Sequence, residues 1–114
     1  MSSIVVSHGE RVFRETLQSA ATTGNGNERD LEGLFNDLAF YIDWSAGVSA
    51  GVVTLETADA VGYAGTWSTI LAVTQTGASR QDVVVAPRAP YRAIRARIST
   101  NIVGGTVTVK AEAH

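Results

Sequence analysis

The sequence predicts an all-β fold, a single domain in which about seven or eight strands form two packed sheets. Three observations support this prediction. Apolar and polar residues alternate in several short segments, most clearly in the second half of the chain, and small-residue turns separate those segments. Val and Ala dominate the apolar residues, whereas helical proteins are rich in Leu, Glu and Lys. This number of strands is expected of a two-sheet sandwich or jelly roll, and we take the jelly roll as the favoured form.

Length and composition indicate one globular domain. The chain has 114 residues, of which 45% are hydrophobic and 18% are charged, and this length is enough to bury a core. It shows no internal repeat, no low-complexity tract and no linker long enough to divide it. We therefore expect a β-sandwich domain over residues 11–114, preceded by residues 1–10 as an extended N-terminal arm or a first short strand.

The first half of the chain contains strand patterns separated by turn-forming residues. Residues 11–19 alternate so that Phe13, Glu15 and Leu17 would face inward in a strand, although a helix is also possible there. A Gly- and Asn-rich turn follows at residues 22–27. The segment after it is ambiguous, because its apolar residues have helical spacing while Gly33 interrupts the run.

We interpret that ambiguous segment, which contains Leu31, Leu34 and Phe35, as irregular, with a strand following at residues 38–44. A flexible connection at residues 45–51 leads to a strand at residues 52–57. In this strand Val53 and Leu55 share one face and Thr54 and Glu56 share the other. The two strands are expected to form a hairpin.

Four further strands are predicted in the second half. The first of them covers residues 66–73. Its alternate residues Trp67, Thr69, Leu71 and Val73 share one face. Residues 83–86 form a short strand that ends near Pro87 and Pro90, because proline cannot donate to a ladder. Residues 91–98 place Ile94, Ala96 and Ile98 inward and Arg95 and Arg97 outward. Residues 106–111 form the last strand after a Gly-Gly turn.

Charge and cysteine content exclude several partners and site types. The formal net charge of −2 gives no field that would hold a polyanion, so we expect no nucleic-acid partner. Without cysteine the chain forms neither disulfides nor thiolate metal sites. No apolar stretch approaches the roughly 20 residues of a membrane helix, and the N-terminus lacks the features of a secretory signal. We expect no membrane partner and synthesis in a cytoplasm-like solution.

One short motif resembles a catalytic signature. Residues 47–51 spell G-x-S-x-G, the nucleophile elbow of hydrolases, which requires a strand turning into a helix and a downstream histidine as base. Here a strand is predicted to follow, and the one downstream histidine is the last residue, His114. The carboxylates of this chain are scattered along the sequence, as is usual for the solvent-exposed surface of a small protein. They are not evidence for the pair of carboxylates that a glycosidase needs. We therefore predict that the chain is not an enzyme.

Metal and cofactor sites are also not predicted. His8 and His114 lie at opposite ends of the chain, and no histidine or carboxylate pair has a recognised metal spacing. Asn25, Asn27 and Asp30 superficially match a calcium loop, but the glycine order differs and the twelfth position lacks a glutamate. We predict no metal and no cofactor.

The aromatic residues allow two interpretations. Together they could form a stacking platform for sugars on one face of the sandwich: Tyr41, Trp44, Tyr63, Trp67 and Tyr91. The favoured interpretation is that the two tryptophans are large core residues and the tyrosines cover the rim, because both tryptophans lie in phase with inward apolar residues.

Five segments together carry a resemblance to a known group of proteins: residues 38–42, 51–56, 65–67, 91–98 and 104–109. In this order they resemble small β-sandwich or jelly-roll structural proteins of tailed bacteriophages, and most of all the head decoration (cement) proteins. The resemblance implies a homotrimer on the capsid exterior of the virion that bridges neighbouring major capsid subunits. It supplies no catalytic residues.

The expected contacts with the shell lie in the N-terminal arm and on one arginine-rich strand. The arm offers β-branched residues that could add a strand to a neighbour's sheet edge, and arginine is common at interfaces. The predicted interface residues are Ile4, Val5, Val6, His8, Arg95 and Arg97. Two alternatives stay open: a carbohydrate-binding or host-recognition module, and a phage tail or head-completion component.

Overall fold

The computed structural model describes the backbone of residues 4–7 and 10–114 and the side chains of residues 12–114. These residues form nine strands and no helix. Accordingly, the described part of the chain offers no helical segment that could cross a membrane. The strands are β1 (Ile4–Ser7), β2 (Glu10–Ala21), β3 (Arg29–Asp30), β4 (Leu38–Trp44), β5 (Ala50–Ala58), β6 (Ser68–Thr74), β7 (Arg80–Val85), β8 (Ala93–Val103) and β9 (Val107–Ala113).

The strands form two antiparallel sheets with jelly-roll connectivity. One sheet has the order β1-β2-β9-β4-β7 and the other has the order β3-β8-β5-β6. The hairpin predicted for residues 38–44 and 52–57 is wrong, because β4 and β5 lie in different sheets. The pairs β2/β9, β3/β8, β4/β7 and β5/β6 are nested, as in one long antiparallel ribbon that folds over itself. The all-β, two-sheet fold predicted from the sequence is confirmed, with eight strands in the jelly roll and β1 added at one edge.

The N-terminal segment pairs within its own chain. β1 lies antiparallel to β2, with Ile4 opposite Phe13 and Ser7 opposite Glu10. The sequence left an arm and a first strand as alternatives, and residues 4–7 have here the geometry of an edge strand. His8, which was a predicted interface residue, lies outside the described residues together with residues 1–3 and residue 9.

The core lies between the two sheets and matches most of the predicted inward faces. Phe13 and Leu17 of β2 and Val53 and Leu55 of β5 are fully buried. The inward set predicted for β8 is also confirmed, because Ile94, Ala96 and Ile98 are all buried. Burying these side chains supplies the main stabilisation of a fold that has no disulfide.

Gln18 is an exception, because alternation placed it outward and the structure buries it. The ladder between β2 and β9 shifts register on both sides of Gln18, and such an irregularity turns a residue towards the other face. Its side-chain amide donates to the carbonyl oxygens of Ala96, at 2.8 Å, and Gly24, at 3.0 Å. These bonds satisfy the buried amide nitrogen and connect the two sheets.

The segment between β3 and β4 is irregular, as predicted. Glu32 and Gly33 both have positive φ angles, 56° and 68°, which a right-handed helix does not allow. Leu31 and Phe35 are nevertheless buried, while Leu34 is exposed. The helical spacing of these residues therefore reflects a loop that sends two side chains into the core.

Candidate functional site

A cluster of ion pairs lies on the outer face of the four-stranded sheet. Glu56 of β5 is opposite Arg95 of β8, and Thr54 is opposite Arg97, so both arginines reach the same carboxylate. The Nε atom of Arg95 is 2.8 Å from one oxygen of Glu56, and the Nε atom of Arg97 is 3.2 Å from both oxygens. We call Glu28, Glu56, Arg95 and Arg97 the arginine cluster, because Glu28 lies 3.7 Å from Arg95.

The loop between β5 and β6 covers this cluster. The guanidinium of Arg95 lies 4.4 Å from the centre of the Trp67 ring, a distance typical of a cation–π contact. Glu28 accepts a hydrogen bond from the backbone N–H of Gly62, and the Trp67 indole donates to the carbonyl of Tyr63. As a result, the side chain of Glu56 is only 4% exposed although it points away from the core.

Trp67 is therefore buried, but not where the sequence placed it. It is 3% exposed, yet it packs against Arg95 on the outer face of the sheet and is not part of the core between the sheets. The ladder between β5 and β6 shifts register after Leu55, so that Leu71 opposes Leu55 while Thr69 opposes Glu56. β6 therefore has one extra residue between Thr69 and Leu71, so the residues that precede it face the opposite side from the one that regular alternation predicts. This places Trp67 and Thr69 on the outer face. Trp44 is a core residue, as predicted.

The predicted interface residues do not form one surface. Arg95 and Arg97 lie together in the four-stranded sheet, while Ile4, Val5 and Val6 belong to β1 at the edge of the other sheet. The side chain of Arg95 is 12% exposed and is held by Glu56, so it offers little free surface. Arg97 is more accessible, with 38% of its side chain exposed.

A shallow groove of about 500 Å³ lies on the outer face of the five-stranded sheet. Strand register places Lys110 between Thr16 and Tyr41, and it places Glu112 opposite Arg14. Arg14 and Glu112 form an ion pair at 3.4 Å. A hydrogen bond from His114 lowers the pKa of Glu112, and the hydrogen bond and charge of Arg14 lower it further. These effects outweigh burial, which raises the pKa, so it lies below its ordinary value. The groove presents charges of both signs and one aromatic ring.

Apolar side chains border this groove on its β7 side. Val83 and Val85 of β7 are opposite Tyr41 and Ala39 of β4, so all four share the outer face. Val83 and Val85 are 54% and 77% exposed, and β7 is the last strand of its sheet. Because exposed apolar side chains that lie together often mark interaction sites, this apolar edge is a candidate binding surface. The sequence marked it only as a short apolar strand.

The residues considered for chemistry have structural roles. Residues 47–51 span the end of the connection into β5 and the first two residues of that strand, and the hydroxyl of Ser49 donates to the carbonyl of Val103. The side chain of Asp30 accepts a hydrogen bond from the backbone of Glu32, and that of Asn27 donates to the carbonyl of Thr16. Among the residues with described side chains, no three His, Asp or Glu residues lie close enough together to hold a metal ion.

Asp82 should make the stability of the fold sensitive to acid. Burial raises its pKa, but hydrogen bonds from Thr76, Trp44 and Arg80 outweigh this effect and hold the pKa below the ordinary value of 3.8. A lowered pKa in the folded state gives stability above pH 3.8 that is lost as the pH falls through the folded pKa. In Asp82→Asn, we expect the free energy of unfolding to fall less steeply than in the wild type as the pH is lowered. Denaturant unfolding at a series of pH values from above 3.8 to below it measures this decline. Asp59→Asn, a substitution of the same kind at an exposed position, is the control.

The comparisons with known proteins show the fold. No family model and no curated protein sequence matches the chain. The solved structure of the SPBc2 prophage-derived protein YomS is similar, with a TM-score of 0.65 and 17% identity over 90% of this chain and 91% of that chain. The K1 cleaved adhesin domain of Lys-gingipain from Porphyromonas gingivalis W83 is also similar, with a TM-score of 0.54 and 13% identity over 96% of this chain and 77% of that one. At these identities the similarity establishes a shared β-sandwich architecture.

Proposed function

We propose that this chain is a non-enzymatic structural protein of a bacteriophage particle. In its finer form, the proposal is a decoration protein that binds the outer surface of the capsid and bridges neighbouring major capsid subunits. The observation that carries the proposal is the match with a prophage-derived protein over nine-tenths of both chains. The resemblance of its strand and turn segments to phage decoration proteins points to the same class.

The arrangement of charges supports binding rather than catalysis. The most buried carboxylate, Glu56, is neutralised by two arginines, and Asp82 is held by Thr76, Trp44 and Arg80. Neither carboxylate faces the groove of the five-stranded sheet, and Glu112, which does line it, is paired with Arg14 and His114. A catalytic acid or base needs access to a substrate proton, whereas these groups hold strands and loops in place.

Repetition of the shell site favours such a protein. A capsid presents the same surface many times, so a protein that contacts several subunits at once gains avidity from individually weak contacts. Exposed strand edges and loops at the ends of a sandwich are suitable for contacts of this kind. The resemblance implies a trimer. Any assembly with more than one shell-binding surface would gain avidity in the same way.

The proposal is tested by adding purified protein to capsids of the encoding phage that were assembled without it, before and after shell expansion. We expect saturable binding to the expanded shell at a fixed, high copy number, measured by quantitative mass spectrometry of sedimented particles. Binding to neither form would contradict the proposal. A copy number of only a few chains per virion would instead indicate a tail or head-completion component.

Removing residues 1–9 should weaken attachment to the shell while the domain stays folded. The truncation ends before β2, so all eight jelly-roll strands are retained, and circular dichroism should show an unchanged β spectrum. A matched variant in which Ile4, Val5 and Val6 are replaced by serine keeps the chain length and tests the apolar side chains alone. Full affinity of both variants for the shell would refute a role for the N-terminal segment.

A carbohydrate-binding or host-recognition module is the second candidate. Its support is the structural similarity to an adhesin domain, together with the groove that contains Tyr41. The burial of both tryptophans, 2% exposed for Trp44 and 3% for Trp67, removes the strongest elements of a stacking platform. Binding of the protein to a glycan array, lost in Tyr41→Ala, would favour this candidate over the capsid protein.

A further inference from the structure

We propose that the free edge of β7 pairs with β7 of a second copy of this chain about a two-fold axis. The two five-stranded sheets would then join into one continuous antiparallel sheet. This inference concerns self-association and does not depend on the proposed capsid function. Four features of the edge support it: its backbone groups, the register they allow, its side chains and the open side of the sandwich beside it.

The backbone of β7 has hydrogen-bonding groups that no described strand satisfies. β7 pairs with β4 and is the last strand in its sheet. The N–H of Ala86 donates to the carbonyl of Leu38 at 2.9 Å. Because the bonding direction alternates along an antiparallel strand, Val84 and Asp82 also bond towards β4. The N–H and C=O groups of Gln81, Val83 and Val85 therefore point away from the sheet, into the position of the next strand.

One antiparallel register satisfies all of these groups. It places Val83 opposite the partner's Val83 and Gln81 opposite the partner's Val85. By the two-fold symmetry, Val85 then lies opposite the partner's Gln81. A shift in one direction brings Pro87, which has no N–H, into the ladder. A shift in the other direction brings in Ser79, whose N–H already donates to the carbonyl of Ser45.

The side chains of the edge are compatible with self-pairing. The outer row contains Gln81, Val83 and Val85 and carries no charge. Arg80 and Asp82 face the other way and pair with each other at 3.2 Å. In the proposed register Asp82 lies opposite the partner's Val84, so no like charges oppose each other. Natural edge strands that stay unpaired usually carry a lysine, a proline, a bulge or an inward-pointing charge. Residues 81–85 have none of the first three, and the inward-pointing Asp82 is neutralised by Arg80 within its own chain.

The sandwich is also open beside this edge. β6 is the edge strand of the other sheet and is connected to β7 by residues 75–79 alone. Leu71 of β6 is opposite the buried Leu55, yet it is 46% exposed because no described strand lies beyond it. A second copy placed against β7 would bury Leu71 in addition to Val83 and Val85, which adds apolar area that strand pairing alone would not supply.

Sedimentation equilibrium of the purified chain tests the pairing. We expect a reversible dimer whose population rises with protein concentration. Val83→Lys places two positive charges opposite each other at the two-fold axis, so it should weaken dimerisation about tenfold or more. Val103→Lys is the matched control, because Val103 has the same side chain and is 53% exposed at the end of β8. It should dimerise like the wild type.

A cysteine variant tests the register directly. The natural chain has no cysteine, so Val83→Cys introduces a single thiol that should meet its symmetry mate and form a disulfide-linked pair under mild oxidation. Val103→Cys should stay unlinked under the same conditions. Circular dichroism confirms that each variant is folded. A monomer at all concentrations, a trimer insensitive to Val83→Lys, or equal linkage of both cysteine variants would overturn the proposal. None of these measurements uses capsids, so failure of shell binding is a separate result.

Discussion

Replacing Glu56 by alanine is expected to lower the free energy of unfolding by about 3 kcal/mol. The carboxylate is 4% exposed and is the shared partner of Arg95 and Arg97. Its removal leaves Arg95, 12% exposed, beneath Trp67 with only the more distant Glu28 as a counter-charge. A buried charge without its close partner costs far more than a surface ion pair contributes.

Chemical denaturation measures this loss, and Glu112→Ala is the control. Glu112 also lies on a strand and pairs with an arginine, but its partner Arg14 has a side chain that is 65% exposed. Water and salt screen such a pair, so we expect a loss below about 1 kcal/mol. Similar losses in the two variants would show that the arginine cluster contributes no more than a surface ion pair.

The arginine cluster illustrates which parts of the structure the sequence predicts. Alternation in β8 correctly places Ile94 and Ala96 in the core and the arginines on the opposite face. Alternation also correctly turns Glu56 outward. The sequence does not predict that the loop from β5 to β6 covers Glu56, because that loop is held in place through Arg95 and Glu28, which are distant from it in the chain. Nor does it predict the register shift after Leu55, which a period-two pattern passes over without a signal.

The candidate binding edge shows a related limit. Three consecutive valines and a following proline predict a short strand that ends at residue 86, and this is close to the observed β7. Whether such a strand is central or at an edge depends on its neighbours in the sheet. Only the order β1-β2-β9-β4-β7 shows that Val83 and Val85 face an open side. A continuous apolar run is equally typical of a fully buried strand, which is why the sequence alone does not assign a surface to it.

Phe35→Ala should destabilise the fold by about 3 kcal/mol or more, although Phe35 lies outside every strand. The side chain is 1% exposed and its ring centre is 6.1 Å from that of Phe13, with the ring planes inclined at 53°. Alanine would leave a cavity beside Phe13 and remove an aromatic pair contact. Thermal and denaturant unfolding followed by circular dichroism measure the loss.

Leu34→Ala is the natural control, because Leu34 is the adjacent residue and is 46% exposed. Since a substitution at an exposed apolar position removes little buried area, we expect a change within about 0.5 kcal/mol. A large difference between the two variants would show that Phe35, and not its neighbour Leu34, is the side chain by which this part of the loop fills the core. Equal losses of stability would contradict this. They would mean that Leu34 and Phe35 are buried to a similar degree, as in a segment packed loosely on the sandwich.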